Sequence, residues 1–279
     1  MKQEVDVLVG AVVITRNEPD RLEPLVREIH VSAISRCVVV SDDSDEPYAS
    51  ITKRIAEDSG AEYVCGPKKG PVANRLNGLN VLASRKDITH VLFIDGDIQV
   101  DATSLQSLHQ ASQREPGAII CVGVREGPGG RTIWPTEVNW KGVRCRPAPQ
   151  RGGTGLSDQL MLWPLHAALA VEWDTTYNYG YSEAWLGVQA RSKGYTIVII
   201  PGLNVVHTAP NRDCSRDTEE QRIFYNFLIK RETHGRVYAW MVFVTDMVLS
   251  CGKRALLFRR SNLYAYLRAA QRLISLGKS

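Results

Sequence analysis

The sequence predicts an α/β protein: a mostly parallel sheet flanked by helices, followed by a helical, basic C-terminal extension. Three observations predict it. Apolar, β-branched runs alternate with helix-periodic segments over the first half of the chain, which is the pattern of βαβ units. Acidic residues fall at the ends of several of those runs, where parallel sheets bind their ligands. Beyond Thr218 the strands give way to helical periodicity with a basic bias.

The elements follow in order. Residues 5–15 (VDVLVGAVVIT) are apolar and β-branched, a buried strand. Residues 18–33 place Leu22, Leu25, Val26 and Ile29 at helical spacing. Residues 36–43 (RCVVVSDD) read as a strand, 50–60 as a helix ending at Gly60, and 61–66 as a third strand. A helix over 71–85 opens with Pro71, tolerated there because the first turn needs no proline N–H. Residues 89–97 (THVLFIDGD) form a fourth strand, 101–117 a helix stopped by Pro116 and Gly117, and 118–126 (AIICVGVRE) a further strand.

Residues 126–158 break this rhythm, being dense in Gly, Pro, Arg and Trp. A stretch so long inside a domain is functional or disordered. Residues 182–194 then read as a short helix with Ser182 as N-cap and Gly194 beyond its end. Residues 195–207 form a strand, a turn at Pro201-Gly202 and a short strand ending in His207.

The chain has 279 residues, 44% of them hydrophobic, enough for one large domain or two small ones with a true core. Its formal charge is +4, but residues 221–279 hold eleven Lys/Arg against two acids, a net of +9, which leaves −5 on the rest. A basic tail on an acidic body points to phosphates, of lipid headgroups or of nucleic acid. Aromatic and basic residues do not interleave in a nucleic-acid-binding pattern, so no nucleic-acid partner is expected. The six cysteines show no CxxC pair and no zinc spacing, and read as small core residues of a reducing compartment. With no signal-peptide pattern and no apolar run near the ~20 residues of a membrane span, a cytoplasmic protein is expected, one that can lie against the inner face of the cell membrane.

In the tail, Leu256, Leu263, Leu267, Ala270 and Ile274 fall on one helical stripe, with Arg254, Arg268 and Arg272 opposite. Such a helix either lies in a membrane interface or packs on the body with its charged face solvated. Residues 237–244 (VYAWMVFV) are too short to span a bilayer and suit the core better than lipid.

The chemistry centres on Asp95-Gly96-Asp97. Two carboxylates one residue apart repel each other. Gly96 lets the backbone turn so that both face one region, and a divalent cation relieves the repulsion. Hard oxygen ligands suit Mg²⁺ or Mn²⁺, ions that commonly bridge a diphosphate. The plain alternative is a polar turn after a strand, since Asp-Gly is a common turn pair.

Further motifs share an order and spacing with a known pattern: AVVITRNEPDRL near the start, VVVSDDSDE after the second strand, GPVANRLNG, FIDGD, YSEAWLGVQARSKGY, and VVH ending at His207. Over roughly residues 8–210 the sequence resembles the GT-A (Rossmann-like) nucleotide-sugar glycosyltransferases, specifically the large family-2-like inverting group. The resemblance implies a catalytic domain over 1–217, with a donor-binding half to about 124 and an acceptor-side half beyond, and a helical extension over 218–279. It implies that Thr15, Arg16 and Glu18 line the nucleotide pocket. Asp42 would accept the N3–H of uracil or thymine, with Asp43 the competing carboxylate. Lys69 and Arg75 would lie near the donor phosphates. Asp95, beside Gly96, would contact the ribose or the metal; Asp97 and His207 would hold Mn²⁺ or Mg²⁺. Glu183 stands where the family carries its base, and either carboxylate can accept a hydroxyl proton.

The implied reaction moves a sugar from a UDP- or dTDP-type donor to a hydroxyl acceptor by single displacement. Trp134 and Trp140 could stack on sugar rings. Arg131, Arg144, Arg146 and Arg151 could grip an anionic or lipid-linked acceptor. Two rival readings keep the fold: a catalytically inactive nucleotide-sugar-binding protein, motivated by Ser182-Glu183 in place of the usual acidic pair, and a sugar nucleotidyltransferase, which would carry a glycine-rich loop that VITRNEPDRL lacks.

Overall fold

A computed structural model describes residues 6–127, 129–138, 144–157, 159–176, 181–203, 205–208, 217–255 and 261–276. The elements run β1 (Val9–Thr15), α1 (Pro19–Ser32), β2 (Ser35–Asp42), α2 (Tyr48–Asp58), β3 (Glu62–Cys65), α3 (Pro71–Ala83), β4 (His90–Asp95), β5 (Ile98–Val100), α4 (Ala102–Arg114), β6 (Ala118–Val122) and β7 (Val124–Glu126). Next come β8 (Thr132–Ile133), β9 (Thr136–Val138), β10 (Arg144–Pro147), β11 (Leu160–Pro164), α5 (Leu165–Ala170), α6 (Ser182–Ser192), β12 (Thr196–Ile200) and β13 (Val205–His207). Three helices close the chain: α7 (Asp217–His234), α8 (Arg236–Ala255) and α9 (Ser261–Leu276).

The central sheet has seven strands in the order β12-β6-β11-β4-β1-β2-β3. All neighbours are parallel except β11, which runs antiparallel between β4 and β6. Every residue of β1 is buried, because both faces of the sheet are covered. On one face Ala11 and Val13 join Leu22, Leu25 and Ile29 of α1 and Leu105 and Leu108 of α4. On the other, Val12 and Ile14 join Val72, Leu79 and Leu82 of α3 and Leu186 and Ala190 of α6. Two-sided burial is why the parallel strands read as continuous apolar runs.

A second sheet, β5-β13-β7-β8, extends the carboxyl end of the first. The run 118–126 expected as one strand supplies two: β6 belongs to the large sheet and β7 to the small one, with Gly123 between them. Strand β11 and the short α5 were not anticipated. LMLWP is apolar at every position and buried at every position, so it carries no alternation. Ser182 is the first residue of α6 and not its N-cap; that place belongs to Tyr181, in the left-handed region at φ 58°.

Helix α6 is seated by a close backbone approach. A Cβ at Gly187 would overlap the carbonyl oxygen of Thr154. Thr154 in turn accepts Val138 N–H on its Oγ1 at 3.0 Å and donates its own N–H to Glu137 at 3.0 Å. The outer side of α6 carries Ala184, Trp185 and Val188 into a third core with Phe224, Phe227 and Leu228 of α7. Arg231 of α7 lies 5.9 Å from the Trp185 ring centroid, a cation–π contact.

In α9 the large apolar residues of the stripe face outward. Leu267 and Ile274 are exposed, and the face of α9 that packs inward is Ala265, Tyr266, Ala269 and Leu273. Leu256 and the side chains of Leu263 and Arg254 lie outside the described residues. Buried Glu220 of α7 fixes α9, accepting from Arg268 Nε at 2.8 Å and Arg272 Nε at 3.1 Å.

Gly187→Ala is expected to lower stability by about 1–3 kcal/mol, the usual cost of overpacking, measured by chemical denaturation. Unchanged stability would contradict the contact of α6 with Thr154.

Candidate active site

The carboxyl ends of β1, β2 and β4 lie side by side: Thr15 is in register with Asp42, and Ile14 with Asp95. This row carries most of the residues singled out in the sequence. Gly96 N donates to Ile14 O at 2.7 Å. A Cβ on Gly96 would stand 3.0 Å from that oxygen and 3.1 Å from Thr15 Oγ1, so the turn after β4 is pressed onto β1. Thr15 is buried, and its Oγ1 has no hydrogen-bond partner among the described residues.

Asp42 is 1% exposed. Its carboxylate accepts Ser44 N–H at 2.9 Å and Tyr63 O–H at 3.2 Å. Burial pushes its pKa up, against the lowering effect of the Ser44 bonds. The same burial, with the neighbouring Asp42 charge, pushes the Tyr63 phenol up. Asp43 accepts Lys68 N–H at 2.8 Å and is also raised by burial. Both carboxylates are thus built into the floor, with Arg16 exposed near Asp43. Lys69 is exposed on the loop ahead of α3. Glu18 pairs with Arg21 at 3.1 Å, and Arg21 Nη2 reaches Thr208 O at 3.3 Å.

Asp95 and Asp97 each meet a side chain from a distant part of the chain. Arg75 of α3 is 2% exposed and its Nη2 meets Asp95 Oδ1 at 2.5 Å. The guanidinium therefore lies against Asp95 at the end of β4. Asp97 Oδ2 is 3.1 Å from His207 Nε2, although 110 residues separate them. The antiparallel pairing of β13 with β5 brings them together, with His207 opposite Ile98. Thr208 locks the arrangement, donating its N–H and its hydroxyl to Asp97 O at 2.9 and 2.7 Å.

A cleft partly open to solvent adjoins this pair. Glu126, Trp134, Gln159, Glu183 and His207 are among its walls. Glu183 enters from the first turn of α6, where the helix N-terminus favours a negative charge. Trp134 is 37% exposed on the opposing β8–β9 segment. The basic residues expected around the acceptor are distributed differently. Arg131 is exposed and is not among the described cleft walls. Arg151 lies on the outer edge of the sheet beside Val198 and pairs with Glu115. Trp140 and the side chains of Arg144 and Arg146 lie outside the described residues.

Several residues here had not been singled out. Tyr63 braces Asp42. Asn74 and Asn77 tie α3 to Ser41. Glu126 sits in register beside His207. The signal for the asparagines was present: two amides three residues apart lie on one helix face.

Asp97 and His207 offer an oxygen and a nitrogen donor to a divalent cation. Two ligands 3.1 Å apart match neighbouring vertices of an octahedron with bonds of about 2.2 Å, close to the ~2.0–2.1 Å usual for small divalent ions. Among the described residues no group of three or more His, Cys, Asp or Glu forms a metal cluster. Ions of this kind commonly take one or two protein ligands and complete their shell with phosphate and water, so the pair fits.

The profile of glycosyl transferase family 2 matches residues 11–161, more than half of the chain. A search of curated proteins gives no sequence match. Among solved structures, GalNAc-T7 crystallised with UDP, GalNAc and Mn²⁺ superposes with a TM-score of 0.57 at 14% identity, over 72% of this chain and 43% of that one. Residues 1–349 of TarS from S. aureus give 0.54 at 14% identity, over 82% and 71%. Full TarS gives 0.56 at 12%, over 82% and 44%. The chain thus spans less than half the length of GalNAc-T7 and of full TarS. These likenesses are of fold, the mixed α/β GT-A architecture described above. With its strand order, its row of carboxylates and its family profile in agreement, the chain belongs to glycosyl transferase family 2.

Proposed function

We propose that this protein transfers a sugar from a nucleoside-diphosphate donor to a hydroxyl acceptor with inversion, and that it depends on a divalent cation. The observation that carries the reading is the meeting of Asp97 and His207 at the rim of a cleft whose wall holds Glu183. The presence of UDP and Mn²⁺ in GalNAc-T7 supports it by analogy of fold.

The donor's base lies over the ends of β1 and β2, where the Asp42–Asp43 pair supplies acceptors for a pyrimidine N3–H. Thr15 Oγ1, buried and without a described partner, has a hydrogen bond left to give. Arg75 holds Asp95 in place, at the strand end where the ribose would lie. Lys69 and Arg16, both exposed, add positive charge beside the phosphates. Asp97 and His207 would hold Mn²⁺ more readily than Mg²⁺, since an imidazole is a softer ligand than an oxygen. A cation held there supplies charge to the diphosphate as it leaves.

Across the cleft, Glu183 takes the proton from the acceptor hydroxyl. The freed oxygen forms its bond to the anomeric carbon as the bond to the diphosphate breaks on the opposite face, which inverts configuration. Trp134 offers a flat apolar face to the acceptor, and Glu126 and Gln159 offer acceptors for its other hydroxyls.

Glu183→Gln is expected to lower transfer by about 10²–10⁴-fold, the usual contribution of a general base, with UDP affinity unchanged in calorimetry. Full transfer by this variant would remove Glu183 from the role. Separately, Asp42→Asn or Asp43→Asn is expected to weaken UDP binding about ten-fold or more, the scale of one charge-assisted hydrogen bond. If neither does so, the base is read elsewhere.

A further inference from the structure

Eight of the thirteen large apolar side chains exposed among the described residues lie on α8 and α9, so the exposure is concentrated and not scattered. On α8, Val237, Met241, Val244 and Val248 are 76%, 63%, 47% and 59% exposed. Their spacing of four, three and four residues stacks them in one stripe. The opposite side of the helix is the one that packs: Ala239 and Phe243 are buried, and Phe243 meets Phe227 of α7 and Tyr266 of α9 edge-on. Helix α8 therefore has two apolar faces, and the protein core uses one. A contiguous exposed apolar face on a soluble body marks an interaction surface.

Charge indicates what covers it. From Arg236 to Ser279 eight Lys/Arg accompany a single acid, Asp246, a net of +7. That acid is engaged with Lys230 at 3.5 Å. Arg236, at the head of α8, is exposed. A second copy docked face to face would oppose +7 with +7, which disfavours self-association. The stripe itself offers Val and Met, and the hydroxyl beside it, on exposed Thr245, is spent on Met241 O at 2.8 Å. An anionic lipid surface matches both features, accepting apolar side chains at the acyl boundary and attracting Lys and Arg to its headgroups.

We propose that the outer face of α8 seats the protein on an anionic membrane surface, with Val237, Met241, Val244 and Val248 entering the acyl boundary. The contact is interfacial: no helix among the described residues is long and apolar enough to cross a membrane. None of these residues lines the cleft.

Co-sedimentation of the full chain with vesicles tests it. Vesicles of equimolar phosphatidylcholine and phosphatidylglycerol are expected to retain the protein, pure phosphatidylcholine vesicles to leave it in solution, and added salt to release it. The double variant Met241→Ser/Val248→Ser is expected to lose at least about ten-fold in partitioning, with thermal midpoint and UDP binding unchanged because both positions are exposed. Failure of the wild type to bind anionic vesicles, or equal binding by the variant, overturns the proposal. So does a wild type that sediments as a dimer and a variant that sediments as a monomer, which would assign the face to a second copy. Because no turnover is measured, a failure of the glycosyl-transfer reading leaves this result interpretable.

Discussion

Three residues of antiparallel pairing, Val205–His207 against Ile98–Val100, hold the two ends of the site together. Without them Asp97 would end an isolated turn and His207 would sit 110 residues away in sequence. The pairing works because Gly96 allows the turn to press against β1, and because Thr208 fastens itself to the Asp97 carbonyl. Parallel strands β13 and β7 then bring Glu126 beside His207, and the cleft beside them is closed by α6. One small sheet thus sets the distances among groups drawn from four separate segments of the chain.

The burial of charge in the floor has a consequence for binding. Asp42, Asp43 and Arg75 are almost wholly removed from water, and a buried ion costs several kcal/mol unless it is paired or hydrogen-bonded. Each is: Asp42 by Ser44 and Tyr63, Asp43 by Lys68 N–H, Arg75 by Asp95. Such an arrangement is rigid, and it meets a ligand without having to reorganise. The cleft wall differs, with exposed Trp134 on the link between the short strands β8 and β9.

Much of this was legible in the residues, and the exceptions have physical reasons. The parallel strands β1, β2, β4 and β6 are announced by continuous β-branched runs and by the acids at their ends. Strand β11 was hidden, because five apolar residues buried on both faces have no period and its partners β4 and β6 lie far away in sequence. The pairing of Arg75 with Asp95 was hidden as well: arginine is almost never fully buried unless paired, and this pair depends on how α3 sits on the sheet. In α9, hydrophobicity alone favours a face with Leu267 and Ile274. The helix packs instead through Ala265 and Ala269, whose small side chains let it approach α7 closely, with Tyr266 and Leu273 filling the sides. The bulkier residues are left outside.

The account is tested most directly by Mn²⁺ uptake, followed by electron paramagnetic resonance with and without UDP. Wild-type protein should take up the ion in the presence of UDP, and His207→Ala should weaken that uptake by at least about ten-fold, the least expected when a metal site loses part of its support. Uptake that ignores UDP, or that is undiminished in the variant, would contradict the claim that β13 and β5 together build the cation site.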